Sequence, residues 1–184
     1  PNYQHDIADV VRQTLTDSTY YLIKDIAASY EKKDMVAFKA QYTTFLGILG
    51  DLNRLLSQVG LFKLEKWTNS ARNICDEVPG TTEADRDWME WNARTLISVW
   101  GPEKSAERGR LHDYSSRQWG GLLNDFQLAR WKMFFQALEE GKTITSQEWF
   151  KWEENWTHGK TITQVAKEDP VDIAYELYHK YFSK

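Results

Sequence analysis

From Asp34 to Gly60 the chain reads DMVAFKAQYTTFLGILGDLNRLLSQVG. Phe38, Phe45, Leu46, Leu49, Leu52, Leu55 and Leu56 fall at helical spacing, which gathers apolar side chains on one face of an α-helix. Asp34 offers an N-cap oxygen, and Gly60 fits the left-handed position past a helix end. Upstream, Ile7, Val10, Val11, Leu15, Leu22, Ile26 and Tyr30 follow the same steps of three and four. A short polar turn, Glu31-Lys32-Lys33, joins the two stretches, so residues 1–60 are expected to form an antiparallel helical hairpin. Gly47 and Gly50 each cost about 1 kcal/mol against Ala inside a helix. Close approach of a neighbouring backbone is the expected compensation.

The remaining residues, 61–184, repeat this grammar. A helix from Leu64 to about Asp76 ends at Val78-Pro79-Gly80, and Thr81 or Thr82 caps the next. That one carries Trp88, Trp91, Thr95, Leu96 and Val99 and stops at Gly101-Pro102, because proline removes a donor and disfavours the helical region before it. After the charged loop Glu103–Arg110, Leu111-His112-Asp113-Tyr114 is expected to open a helix that runs to Gly141. Gly120-Gly121 would kink it. Thr145-Ser146-Gln147-Glu148 is a capping box, and Asp169-Pro170 places a cap before a first-turn proline. No convincing alternation of period two occurs, and Thr161–Val165, with the propensity of a strand but no partner, is expected to be a connection. The fold class is all-α: a single helical bundle domain of about seven helices over residues 1–184.

With 184 residues, 23 basic and 27 acidic, the formal charge is −4 and the pI about 5.6. Folding to about 9,000 Å² from about 31,000 Å² leaves ample core for such a length. The mild acidity argues against nucleic acid, and no apolar run approaches the ~18 residues of a membrane span. The single cysteine, Cys75, forbids an internal disulfide and a zinc site built on paired thiolates. The chain starts at Pro1 without a leader pattern, so it is expected to be a piece of a longer protein.

No motif within the chain points to chemistry of its own. His5, His112, His158 and His179 share no ligand spacing, so no metal is expected, and no cofactor motif occurs. Cys75 is expected to be a buried, inert thiol. A glycosidase needs two carboxylates at a set separation. Glu139-Glu140 and Glu153-Glu154 are adjacent on helices and diverge by about 100°, while Asp85 and Asp87 suit a first helical turn. Each is expected to be solvated.

Nine Trp, nine Tyr and eight Phe make 14% of the chain. Most serve a helical core, where each buries about 150–250 Å². The segment Trp100–Trp119 admits a second reading beside the core one, which the residues alone favour: a helix end, a Gly-Pro break and a polar loop would bring its rings to a rim. An electron-rich ring face suits the axial C–H groups of a pyranose.

Several motifs in this order carry a resemblance. They are Thr81-Thr82-Glu83-Ala84-Asp85-Arg86-Asp87, Asn92-Ala93-Arg94-Thr95-Leu96-Ile97, Trp100-Gly101-Pro102, Leu111-His112-Asp113-Tyr114, Arg117-Gln118-Trp119-Gly120-Gly121-Leu122, Arg130-Trp131 and Val171-Asp172-Ile173-Ala174. Over about three quarters of its length the chain resembles the C-terminal helical domain of alpha-N-acetylglucosaminidases, glycoside hydrolase family 89. The resemblance implies a parent enzyme that removes terminal α-linked N-acetylglucosamine with retention. Its two catalytic glutamates would sit on a preceding (β/α)8 barrel, the partner of this domain, leaving no catalytic residue in this chain. Trp100, Tyr114 and Leu111 would then line the substrate pocket, with Trp100 on the sugar or its acetamido methyl, Tyr114 offering a hydroxyl and Leu111 an apolar contact. An exported or lysosomal location is implied by the resemblance alone. The loop before Leu111 is longer and more charged than is usual, Ser115-Ser116 replaces Ala-Asn, and Ala129 stands where proline is common. The alternative is a non-catalytic helical module that binds a glycan or a protein.

Overall fold

The computed structural model describes residues 2–103 and 112–183. Among them are seven α-helices: α1 (Asn2–Glu31), α2 (Met35–Leu56), α3 (Leu64–Asn73), α4 (Glu83–Leu96), α5 (Ala129–Glu139), α6 (Ser146–Thr157) and α7 (Pro170–Tyr181). A π-helical turn, Leu123–Leu128, leads directly into α5. There are no strands among the described residues, only one isolated parallel bridge between Lys63 and Gly120. The all-α expectation holds.

Local chemistry accounts for the end of α1 and the starts of four other helices. Lys33 takes the left-handed conformation (φ 61°) that ends α1, and Asp34 accepts from the Ala37 amide at 3.0 Å to start α2. Thr82 and Asp85 cap α4 reciprocally, and Thr145 and Glu148 do the same for α6, satisfying amides that have no partner within the helix. Asp169 caps α7 ahead of Pro170.

Three of the glycine expectations need correction. Gly60 is not a left-handed helix terminus: α2 ends at Leu56, and Gly60 begins a short 3-10 turn, Gly60–Phe62. Nor do Gly47 and Gly50 admit a neighbouring backbone, since a Cβ at Gly47 would meet only the Tyr181 hydroxyl at 3.9 Å and one at Gly50 nothing within 4 Å.

The main core lies between α1, α2, α5 and α7, where Leu15, Phe38, Leu52, Phe135 and Leu177 are buried. Aromatic packing dominates it. Tyr42 stacks on Phe135 with centroids 4.8 Å apart, and Trp131 stacks on the same ring at 5.4 Å. A second cluster of Leu64, Ile97, Leu122 and Phe126 is covered by Trp119, Trp152, Trp156 and Ile162. Burying a ring such as Phe126 stabilises by about 1.5–3 kcal/mol. Most tryptophans therefore have a packing role. The C-terminal helix is latched to α2, where Asp51 accepts from both Lys180 and Tyr181 at 2.6 Å. Among the described residues no helix is long and apolar enough to cross a membrane.

Gly120-Gly121 is a crossing point and not a helix kink. Gly120 donates to the Phe62 carbonyl at 2.7 Å and accepts from the Leu64 amide at 3.0 Å. A Cβ there would lie 2.6 Å from the Ser57 Cα, so only glycine fits. Gly121 is left-handed (φ 89°), and its amide donates to the buried Asn53 Oδ1 at 2.8 Å. These contacts fix the segment leading out of residues 112–119 against α2.

Candidate functional site

Helix α4 ends among buried groups. Arg94 is 0% exposed, with its Nε donating to Glu90 Oε1 at 3.0 Å and its guanidinium 5.1 Å from the Trp156 ring centroid. Ser98 Oγ donates to the Arg94 carbonyl at 2.8 Å, while Ile97 and Val99 are buried. The chain then reverses. The Trp100 amide donates to the Thr95 carbonyl at 2.8 Å, and Trp100 itself is left-handed (φ 64°). A bulky residue rarely accepts that region, so the reversal is imposed by its surroundings. The helix therefore ends at Leu96, before the Gly101-Pro102 break that the sequence suggests.

At residues 112–116 the expected helix start is also absent. Tyr114–Ser116 is a single 3-10 turn, flanked and filled by left-handed Asp113 (φ 54°), Ser115 (φ 64°) and Ser116 (φ 44°). The Asp113 amide donates to the Ser98 carbonyl at 2.8 Å, which returns this turn to the end of α4. Trp100 and Tyr114 are thereby brought together, with ring centroids 4.6 Å apart and planes inclined by 49°. Trp100 is half-buried and Tyr114 is 49% exposed, so the pair sits at the surface. Leu111 lies outside the described residues.

Beneath this turn is a charged cluster. Arg130 donates to Asp113 Oδ2 at 2.5 Å and Oδ1 at 3.2 Å, and to Glu153 Oε1 at 2.8 Å. His112 Nε2 meets Glu153 Oε2 at 2.7 Å. Glu153 is 2% exposed. It is not the solvated carboxylate that its place beside Glu154 suggests. Burial pushes the Glu153 carboxyl up, but hydrogen bonds from His112 and Arg130 outweigh it and leave the pKa lowered. The bond to Glu153 raises the His112 pKa against the opposing effect of burial. Burial opposes the Arg130 charge as well, yet Asp113 and Glu153 leave its pKa raised. The cluster opens into a cavity of about 380 Å³ lined also by Ser146, Trp149 and Phe150.

Asp85 and Asp87 have structural roles. Asp85 caps α4. Asp87 lies past the first turn and pairs with Arg72 at 2.8 Å and Lys160 at 2.5 Å. Cys75 is buried, in a 3-10 turn and not an α-helix. Among the described residues no group of three metal-ligating side chains converges. Sequence reasoning missed Arg130, Asp113 and Glu153 as one unit. The signal was present, since Asp113 and Arg130 both lie in the matching motifs.

The family model described as alpha-N-acetylglucosaminidase (NAGLU) C-terminal domain matches residues 1–180. Alpha-N-acetylglucosaminidase of Homo sapiens is 24% identical over 194 residues, spanning 100% of this chain and 25% of that protein. A family 89 glycoside hydrolase from Clostridium perfringens in complex with PUGNAc superimposes with a TM-score of 0.84 at 28% identity, over 97% of this chain and 21% of that one. The same fit, over 98% of this chain, is found for the Clostridium perfringens protein in complex with its substrate GlcNAc-alpha-1,4-galactose. The chain thus spans a quarter or less of the length of these relatives.

Proposed function

The chain belongs to the family of alpha-N-acetylglucosaminidase C-terminal domains, and on that premise we propose that it forms one wall of the substrate pocket of an exo-acting, retaining alpha-N-acetylglucosaminidase. The bond-breaking glutamates belong, in this reading, to a (β/α)8 barrel in another part of the same protein, which acts in an exported compartment. The ligand is a terminal α-linked N-acetylglucosamine, as carried by the substrate of the Clostridium perfringens relative.

The observation that supports this reading most is the Trp100–Tyr114 pair. Two rings from separate segments meet at 4.6 Å, with Tyr114 49% exposed, at the end of a helix whose own terminus is buried. Trp100 offers an apolar face to the sugar or its acetamido methyl, and Tyr114 a hydroxyl that donates or accepts. Leu111, three residues before Tyr114 in the same motif, adds apolar contact. Such groups orient the sugar for attack and exclude water; they take no part in bond making.

The test compares Trp100→Ala and Tyr114→Phe in the full-length protein on an aryl α-N-acetylglucosaminide. Loss of the indole should lower kcat/KM about 10- to 100-fold, and loss of the hydroxyl about tenfold, since each tenfold step is about 1.4 kcal/mol of transition-state stabilisation. An unchanged kcat/KM in both removes the pocket role.

A further inference from the structure

We propose that Arg130, Glu153, Asp113 and His112 form a clamp that positions the turn carrying Tyr114 against Trp100. All four are positioning residues, acting on the substrate only through Tyr114. This inference rests on the pocket-wall reading above.

The turn cannot hold its shape by local preference. Asp113, Ser115 and Ser116 all have positive φ, at 54°, 64° and 44°, a region where a Cβ is crowded. Three such residues around one tyrosine persist only when the surrounding structure over-determines them. The surroundings do so at the two residues immediately before Tyr114. The Asp113 carboxylate takes both arms of the Arg130 guanidinium, at 2.5 and 3.2 Å, while its amide is held by Ser98 at 2.8 Å. His112 is held by Glu153 at 2.7 Å, and Glu153 is tied back to Arg130 at 2.8 Å. Each anchor sits on a helix, Arg130 on α5 and Glu153 on α6.

The chemistry also argues for positioning over bulk stability. Replacing a buried ion pair by apolar residues is often neutral or stabilising, so such a pair is better suited to selecting one arrangement than to holding a core together. Here the guanidinium lies 4.8 Å from the Phe126 ring centroid while its two terminal nitrogens serve both carboxylates. A planar fork can do this and a lysine ammonium cannot.

The test is a double-mutant cycle in the full-length protein, with kcat/KM on an aryl α-N-acetylglucosaminide expressed per molecule able to bind PUGNAc. Asp113→Asn should lower kcat/KM about tenfold in the parent sequence and less than about twofold in a Tyr114→Ala background. Arg130→Lys, which keeps the charge but loses the fork, supplies the same cycle where Asp113→Asn accumulates poorly. A purely structural role would give the same loss in both backgrounds, and that result, or no loss in either, overturns the clamp. Tyr114→Ala and Trp100→Ala with undiminished kcat/KM would instead overturn the pocket-wall reading. A costly Tyr114→Ala with a fully additive Asp113→Asn overturns the clamp alone.

Discussion

Glu153 Oε1 accepts from Arg130 Nη1 at 2.8 Å, with 2% of the Glu153 side chain and 20% of the Arg130 side chain exposed. Adjacent Glu154 is exposed, so one helical step of about 100° separates a buried, paired carboxylate from a solvated one. Removing the cation would leave Glu153 and Asp113 close together without their shared partner.

Arg130→Ala should therefore be costly. Breaking a buried pair by deleting one partner destabilises by about 3–5 kcal/mol, to be read as the loss in unfolding free energy of the chain in urea. A loss under about 1 kcal/mol would mean that water replaces the guanidinium at little expense. Glu153→Gln, which keeps the shape and an acceptor for Arg130, should cost less than Arg130→Ala.

The same cluster sets a pH dependence. His112, raised above its ordinary 6.5 by the bond to Glu153, binds its proton more tightly folded than unfolded. Its contribution to stability is fully present below about pH 6.5 and is lost as pH rises through the raised folded value. Glu153 has the opposite sign: burial raises its pKa, the bonds from His112 and Arg130 lower it more, and the result lies below 4.5. Its contribution is present above about pH 4.5 and is lost as pH falls through the lowered folded value. His112→Gln should flatten the decline of Tm above about pH 6.5 and leave the acid limb set by the Glu153–Arg130 pair in place. Parallel curves for the two proteins on the alkaline side would contradict this.

Two glycines should respond in opposite directions to alanine. At Gly120 the added Cβ would lie 2.6 Å from the Ser57 Cα and amide nitrogen, and overpacking of that kind costs about 1–3 kcal/mol. At Gly50, inside α2, the Cβ meets nothing within 4 Å, so Gly50→Ala should stabilise by about 0.5–1 kcal/mol. Denaturant midpoints of the two variants decide the signs.

The purified chain should hydrolyse no aryl α-N-acetylglucosaminide. Asp85 is engaged by the Thr82 amide and hydroxyl at 2.7 Å, and Glu153 by Arg130 at 2.8 Å. Neither is placed as a nucleophile opposite an acid. Sustained turnover by homogeneous material would move the chemistry into this chain.

What the amino-acid sequence determined is what acts over one or two helical turns. The apolar spacing of α1 and α2, the Asp34 cap, the Thr145–Glu148 box and the Asp169-Pro170 start are all written within a few residues of where they act. The all-α class followed from them. The neighbourhood of Trp100 and Tyr114 was legible only as a break in that pattern, together with a family resemblance. Tertiary structure decided the rest: the left-handed Trp100, the Tyr114 turn in place of a helix start, the glycine crossing over Ser57, and the burial of Glu153. Each depends on partners far along the chain, with Asp113 to Arg130 spanning 17 residues and His112 to Glu153 spanning 41. Periodicity carries no information about such distances, because helix-forming free energies are short-ranged while burial and ion pairing are settled only when distant segments meet.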